Sequence, residues 1–475
     1  MVKKIGLILG PLSFIFLNFL SLENIDEKAF IVIALAVWMI IWWISEAVSI
    51  SVTSLLPLVI FPLFQVMEIN QVGANYGSSI VFLFFGGFVL ALALEKVNLH
   101  KRIALTIINK TGTSPNRVIL GFMIATAFMS MWISNTASTV VMLPIALSVI
   151  NLLIDNKKGE SESEKNFSLS VMLGIAFSAN SGGIATVIGT PPNSVLIGLL
   201  ENEYNIEISF LNWMVIGLPF SITLLAIIYL LLTRVLFRNE NIKFKSSSEL
   251  ISNKLNELGK LSKKEMHVLI IFGITVFLWI FRTIINKLIP GFKLSDTIIS
   301  VGCAISLFAI PYKFSKPQFI LNWNDTKNLA WGILILFGGG LALAKGMSET
   351  GIVSLITDSI AGANLNIMIT VSLLITMMLF MTELMSNVAL VAVLAPVMVG
   401  IAIGLEIPIL HLLIPITMAS SCAFMLPMAT PPNAIVFASG YVKVSEMGRA
   451  GILINILSIL LLILMYEFFI PMIFN

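Results

Sequence analysis

Met131-Trp-Ile-Ser-Asn-Thr-Ala-Ser-Thr-Val-Val-Met-Leu-Pro144 is the stretch that decides the fold, because it places a short polar segment inside a long apolar run. A second copy, Glu383-Leu-Met-Ser-Asn-Val-Ala-Leu-Val-Ala-Val-Leu-Ala-Pro396, lies in the other half of the chain. Serine, asparagine and threonine favour the N-cap position of helices. Each copy therefore predicts a helix that ends at the polar segment and a second helix that begins there.

Further matches show that the two halves are related. The offset that carries Ser134-Asn135 onto Ser386-Asn387 also carries Phe85-Gly86-Gly87 onto Phe337-Gly338-Gly339. A Thr-Pro-Pro-Asn motif then follows each copy, once after Gly189 and once after Ala429. Four matches in the same order indicate an internal duplication.

The composition places these motifs in a membrane. Hydrophobic residues make up 58% of the chain, charged residues only 11%, and the mean hydropathy is +1.00, whereas roughly a quarter of the residues in a soluble domain are charged. The net charge of +3 is too small to suggest nucleic acid as a partner. Cys303 and Cys422 both lie in apolar runs and indicate no disulfide framework. We therefore expect an all-α polytopic membrane protein.

Apolar runs long enough to cross a bilayer recur along the chain. The first, Ile5–Leu20, is interpreted as a transmembrane helix rather than a signal peptide because no small-residue cleavage site follows it. Two stretches, Leu99–Lys110 and 350–360, are expected to lie in the interface plane. The other predicted crossings, arms and broken runs are 27–46, 48–66, 79–95, 117–133, 136–153, 168–200, 209–237, 266–288, 295–312, 329–346, 366–385, 388–403, 408–440 and 449–472.

Two runs, 168–200 and 408–440, are too long for one plain helix across a hydrocarbon core of about 30 Å. The Thr-Pro-Pro in each explains the excess length, because proline ends one helix and suits the first position of the next. The paired arms on either side of Ser134 and Ser386 leave two alternatives open. Each pair either crosses the membrane twice or dips in and returns as a hairpin.

Lysine and arginine positions predict the orientation. With each pair of arms counted as a return, about eleven crossings remain. Most of the 28 basic residues, including those of the polar linker 238–264, then fall on the cytoplasmic side. We expect a plasma-membrane protein with a cytoplasmic N-terminus and an external C-terminus. Each repeat has an odd number of crossings, so the second copy is inverted, as in secondary transporters.

The breaks also predict chemistry. If the helices that begin at Thr136, Val388, Pro191 and Pro431 converge, four positive dipole ends face one cavity, which suits a dicarboxylate. Unpaired carbonyl groups at the breaks are suitable ligands for Na⁺, together with the side chains of Ser130, Asn135, Thr382 and Asn387. The alternative is that these polar residues mark only kinks and close helix packing.

At these residues the sequence resembles the divalent-anion/sodium symporter family, which carries dicarboxylates and citrate. The matching motifs are Ser134-Asn135-Thr136, Ser386-Asn387, Thr190-Pro191-Pro192 and Thr430-Pro431-Pro432. The resemblance implies re-entrant hairpins and a homodimer in which a transport domain moves as an elevator against a scaffold. The expected parts are scaffold at 1–116 and 265–365, transport domain at 117–237 and 366–475, and a cytoplasmic linker at 238–264.

The resemblance also implies roles for individual residues. The substrate, of the succinate, malate, fumarate, 2-oxoglutarate or citrate class, would contact Ser134, Asn135, Thr136, Ser386, Asn387, Thr430 and Pro431. Pro191 and Val388, which begin helices at the same breaks, complete this set. One Na⁺ site would use Ser130, Ser134, Asn135 and the Gly189 carbonyl, and a second Thr382, Asn387 and the Ala429 carbonyl. No other cofactor is expected.

Three residues bear on the coupling mode. Val388 stands where the family usually has threonine, so one hydroxyl is missing from the second half-site. Lys345 is a candidate fixed charge that would replace part of the sodium, although snorkelling to the interface is the more common role of such a lysine. Glu383 is either functional or hydrogen-bonded to its own hairpin. Val388 and Lys345 together favour dicarboxylate exchange, with Na⁺-coupled symport as the alternative.

Other function classes fit the sequence less well. No Gly-x-x-x-x-Gly-Lys-Ser/Thr motif is present for an ATP-driven pump, and no His-Glu-x-x-His for a metalloenzyme. We therefore expect a transporter and not an enzyme. An anion channel that uses the same helix termini is a more distant alternative.

Overall fold

The computed structural model describes residues 2–19, 26–112, 114–153, 161–238, 247–289, 291, 293–313, 315, 317–361 and 366–474. These residues are almost entirely helical, and the extended pairing among them is an isolated bridge between Lys313 and Gln318. The prediction of an all-α protein is confirmed.

The helices of the first half include several shorter than a membrane span. They are α1 (Val2–Asn18), α2 (Glu27–Ser45), α3 (Ile50–Thr53), α4 (Leu56–Leu63), α5 (Ile69–Tyr76), α6 (Ser79–Lys96), α7 (Leu99–Thr111), α8 (Pro115–Ser130), α9 (Asn135–Leu153), α10 (Glu162–Gly183), α11 (Pro191–Tyr204) and α12 (Phe210–Leu230), which continues as a π-helical turn (Leu231–Leu236).

The second half begins with a helix inside the polar linker. Its helices are α13 (Ser247–Glu257), α14 (Lys263–Leu288), α15 (Asp296–Ala309), a 3₁₀ turn (Trp323–Asn328), α16 (Trp331–Glu349), α17 (Ile352–Ile360), α18 (Ile367–Thr382), α19 (Asn387–Gly404), α20 (Ile409–Ser420), α21 (Pro431–Ala438), α22 (Val444–Leu464), a π-helical turn (Met465–Phe469) and α23 (Ile470–Ile473).

Seven helical segments within the described ranges are long and apolar enough to cross a membrane, which supports an integral membrane protein. They are Glu27–Ser45, Ile69–Lys96, Phe210–Leu236, Lys263–Leu288, Trp331–Glu349, Asn387–Gly404 and Val444–Ile473. Shorter apolar helices include the arm that follows Ser134, the arm that precedes Ser386 and the first part of the second broken run. The count of eleven crossings and the re-entrant path of the arms stay predictions.

The predicted crossing 48–66 is wrong as a continuous helix. It is interrupted between α3 and α4, where the Ser54 carbonyl accepts a hydrogen bond from the Tyr76 hydroxyl at 2.5 Å. Gly339 of α16 lies against the same carbonyl so closely that an added Cβ would be 2.2 Å from it. The interruption is stable because partners distant in sequence fill it.

The two predicted interfacial stretches are helices α7 and α17. Arg102 holds α7 in place: its guanidinium lies 2.6 Å from the Glu265 carboxylate of α14 and donates at 2.9 Å to the carbonyls of Leu258 and Gly259. A side chain with this many partners fixes the end of the linker and the start of α14 against α7.

The broken helices form the centre of the molecule. All residues from Phe167 to Gly183 in α10 are buried. Arm α8 packs against α10 so closely that an added Cβ on Gly182 would lie 2.3 Å from the Ala127 carbonyl. Arm α18 packs in the same way against α20, the corresponding part of the second broken run. The arrangement brings the four breaks of the sequence together.

Candidate functional site

The four breaks line a single cavity of about 940 Å³. It contains all nine residues predicted to contact substrate: Ser134, Asn135, Thr136, Pro191, Ser386, Asn387, Val388, Thr430 and Pro431. Gly189 and Ala429, the predicted carbonyl ligands, also line it. Ser130 and Thr382 lie fully buried behind the wall. The structure therefore brings the predicted set together; the role of each residue stays a prediction.

The first half-site is built around Asn135, the first residue of α9. The Ser130 hydroxyl lies 2.5 Å from Asn135 Oδ1 and 2.7 Å from the Ala179 carbonyl oxygen. A serine hydroxyl has one proton and donates it to only one of the two oxygens. Three oxygen atoms that share one proton form a suitable environment for a small cation.

Two glycines leave space beside this cluster. A Cβ added to Gly183 would lie 2.5 Å from Asn135 Oδ1 and 3.1 Å from the Gly189 carbonyl oxygen. A Cβ added to Gly189 would lie 2.5 Å from the Gly183 carbonyl oxygen. The Asn135 and Gly189 oxygens thus lie beside the position that a side chain on Gly183 would fill, and the Gly183 oxygen lies beside the corresponding position of Gly189. These oxygen ligands fit the chemistry of Na⁺.

The second half-site repeats the pattern. The Thr382 hydroxyl lies 2.7 Å from Asn387 Oδ1 and 2.5 Å from the Ser420 carbonyl oxygen. The offset of the two Thr-Pro-Pro motifs pairs Gly183 with Ala423, so here a methyl group stands in place of the glycine. The two halves therefore share their hydrogen-bond geometry but not the free space beside it.

The asparagine that follows each Thr-Pro-Pro motif donates hydrogen bonds to backbone carbonyls at the helix break. The Asn193 amide donates at 2.8 Å to the Thr186 carbonyl and at 3.4 Å to that of Gly183. The Asn433 amide donates at 3.1 Å to the carbonyls of Ala423 and Leu426. Carbonyls freed by the broken helix are satisfied in this way. Sequence reasoning assigned these asparagines no role, although both stand in the repeated motif.

Asn180 joins the two broken helices. Its amide donates at 3.1 Å to the Ala423 carbonyl and at 3.0 Å to the Thr430 hydroxyl. It is also 3.4 Å from Asn433 Oδ1. Sequence analysis did not select Asn180, because it lies within a run that was interpreted as apolar. A single amide side chain inside such a run is the signal that could have identified it.

Glu383 has a structural role, but not the predicted one within its own hairpin. Its carboxylate accepts hydrogen bonds from the backbone N–H groups of Phe424, Met425 and Leu426 at 2.8–3.1 Å. The Asn455 amide donates to it at 2.7 Å. The carboxylate therefore fixes the backbone of the second break, and Glu383 does not itself line the cavity.

Comparison with known proteins decides the family. The family model described as the transmembrane region of sodium:sulfate symporters matches residues 8–475. The chain belongs to the sodium:sulfate symporter family. As a member of this family it is a membrane transporter and not an enzyme.

Two relatives of the chain are named sodium-dependent dicarboxylate transporter SdcS. The protein of Staphylococcus saprophyticus subsp. saprophyticus is 41% identical over 99% of this chain and 92% of its own length. That of Staphylococcus aureus has the same identity and coverage. The resemblance to the divalent-anion/sodium symporters is thereby confirmed.

Two solved structures share the fold of this symporter-family chain. The YdaH transporter of Alcanivorax borkumensis matches with a TM-score of 0.56 at 10% identity, covering 85% of this chain and 88% of the other. MtrF of Neisseria gonorrhoeae matches with a TM-score of 0.52 at 12% identity, covering 85% and 84%. At these identities the likeness concerns the fold alone.

Charged groups of this family member lie mostly outside the cavity. Lys345, the candidate fixed charge, does not line it; its ammonium is 3.9 Å from the Glu349 carboxylate on the same helix. Lys96, next to the lining residue Glu95, is ion-paired with Asp325 at 2.6 Å, and neither residue of the pair lines the cavity. Burial would raise the pKa of Asp325, but the Asn322 N–H and the Lys96 ammonium hold it below its usual value.

Proposed function

We propose that the protein couples the transport of dicarboxylates of the succinate, malate, fumarate and 2-oxoglutarate class to Na⁺. The observation that carries the proposal is the charge of the cavity. None of its lining residues is lysine, arginine or histidine, and its two ionisable side chains, Glu46 and Glu95, are acidic. A dianion in such a cavity needs positive charge that these side chains do not supply. A co-transported cation provides it.

The helix termini provide the rest of the anion-binding chemistry. Helices α9, α11, α19 and α21 all begin at the cavity, at Asn135, Pro191, Asn387 and Pro431. Their free N–H groups and positive dipole ends favour carboxylates. Asn135 and Asn387 face the cavity and also contact the hydroxyls of Ser130 and Thr382. Each asparagine therefore links a carboxylate position to a cation position.

Symport replaces the exchange mode favoured by the sequence. Exchange required a fixed protein charge near the site, and Lys345 does not provide one because it is paired with Glu349 outside the cavity. The relatives named sodium-dependent dicarboxylate transporters add support for sodium coupling. Val388 lines the cavity, so the second half-site does lack a hydroxyl there.

We propose an elevator movement of the transport domain against the scaffold in a homodimer, as the family resemblance implies. The cavity mouth carries Glu46, ion-paired with Lys3, and lies on the side proposed to be cytoplasmic. At the other end of α6, contacts join the proposed transport domain to the scaffold: the Phe210 N–H donates to Asp296 at 2.7 Å, and Arg282 pairs with Glu207 at 2.9 Å. These contacts must break before the site faces the outside.

Thermal stability of the purified protein tests the coupling of the two ligands. Succinate at about 100 times its dissociation constant is expected to raise the midpoint temperature by roughly 3–5 °C in NaCl, because it binds only the folded state. In choline chloride the shift should disappear, since the cation positions are then empty. Equal stabilisation by succinate in both salts would contradict sodium coupling.

A further inference from the structure

Glu95 is a carboxylate in the cavity wall that the proposed binding sites do not use. It is half-buried, and within the described part of the chain it forms no hydrogen bond or ion pair. The adjacent Lys96 does not neutralise it, because that ammonium is engaged by Asp325. Glu46, the other acidic lining residue, is exposed and paired with Lys3. Glu95 is therefore the carboxylate of this cavity that lacks a partner.

The position of Glu95 follows from the periodicity of α6. Phe88, Ala91, Leu92 and Glu95 all line the cavity, as expected for residues on one face of a helix. The first three are apolar and Glu95 follows them at the end of the helix, about 10 Å along the axis from Phe88. A dicarboxylate that leaves the site passes this apolar wall and then the negative charge.

The repeat supplies a comparison with the other side of the membrane. The offset that carries Phe85-Gly86-Gly87 onto Phe337-Gly338-Gly339 carries Glu95 onto Met347 of α16. The corresponding position in the second half is thus uncharged. Because α6 belongs to the proposed scaffold, the field of Glu95 acts on the site only when the transport domain faces this cavity.

We propose that Glu95 sets a side-specific affinity: it repels the dicarboxylate and attracts Na⁺ in the cytoplasmic cavity, and so favours release of the substrate on that side. This inference rests on the proposed Na⁺-coupled dicarboxylate transport. A fixed charge in a partly enclosed cavity focuses its field there, since the low-dielectric walls exclude water. In the second repeat, methionine occupies the position that corresponds to Glu95.

The test measures the half-saturating concentration of succinate from each side of proteoliposomes at saturating Na⁺. Their orientation is determined from the reaction of an Asn202→Cys variant with an impermeant maleimide, since Asn202 is exposed. Glu95→Gln is expected to lower the cytoplasmic-side value about 10-fold and to leave the external value unchanged. Added choline chloride should reduce the difference between wild type and variant, because salt screens the charge.

Two further variants sharpen the test. Glu95→Met copies the residue of the second repeat and should behave as Glu95→Gln does. Glu349→Gln removes the same formal charge from outside the cavity and should change neither value. No change on the cytoplasmic side, or an equal change on both sides, would overturn the role of Glu95 while wild-type Na⁺-dependent flux remains. A wild-type protein without such flux would overturn the proposed function as well.

Discussion

Replacing Gly183 with alanine is expected to abolish Na⁺-dependent uptake. The added Cβ would lie 2.5 Å from Asn135 Oδ1, which is closer than real Cβ contacts allow. Asn135 is the first residue of α9 and is held by Ser130, so it moves only by disturbing the half-site. Displacement of a binding group by about 1 Å costs on the order of 100-fold in function. Initial rates of labelled succinate uptake into proteoliposomes measure the effect.

A matched glycine substitution separates this effect from general damage. Gly273→Ala is also within a helix, but an added Cβ there has no atom within 4 Å, and uptake should stay normal. Ser130→Ala removes an oxygen from the same half-site without adding atoms, and it should raise the half-saturating Na⁺ concentration. Wild-type Na⁺ dependence in Gly183→Ala would show that the space beside Asn135 does not hold the cation.

Asn135→Ala and Asn387→Ala are each expected to eliminate uptake in a protein that still folds. Each asparagine faces the cavity and lies within 2.7 Å of a buried hydroxyl, of Ser130 in one half and of Thr382 in the other. In the proposed function, loss of the amide removes a contact to the substrate and a cation ligand at once. Both half-saturating concentrations, for succinate and for Na⁺, should therefore rise beyond the measurable range.

Ser148→Ala is a suitable control on the same helix as Asn135. Its hydroxyl is exposed and, among the residues that the structure describes, bonds to the Pro144 carbonyl one turn earlier, so uptake should be unaffected. Midpoint temperature and elution volume report whether each variant folds and assembles. If either asparagine variant retained near-normal uptake with unchanged half-saturation for both ligands, the proposed role of that asparagine would be incorrect.

The breaks of the helices were predictable because their causes are local. The Ser134 hydroxyl accepts a hydrogen bond from the Ala137 N–H at 3.2 Å at the start of α9. Ser386 occupies the N-cap position of α19 without such a bond, and the prolines at 191 and 431 begin α11 and α21. A duplicated motif also indicated that the four breaks meet at one place. The cavity contains the residues that these local rules selected.

Features that depend on contacts between residues distant in sequence were not predictable in this way. The interruption at Ser54 depends on Tyr76 and Gly339, which no local pattern connects to it. Glu383 is satisfied by backbone groups of the second broken run rather than by its own hairpin. Lys345 was a candidate charge from the sequence, but it does not line the cavity, and its ammonium lies near the Glu349 carboxylate. Hydrogen-bond partners of buried polar groups are a property of tertiary packing, which the sequence pattern does not contain.

Uptake of labelled succinate into proteoliposomes tests the central claim, that a cation supplies the positive charge the cavity lacks. Vesicles are loaded either with buffer or with unlabelled dicarboxylate, and external Na⁺ is varied against choline. The account predicts strong uptake into the buffer-loaded vesicles that rises steeply with Na⁺ and is absent in choline. Uptake that requires internal dicarboxylate and does not respond to Na⁺ would contradict it.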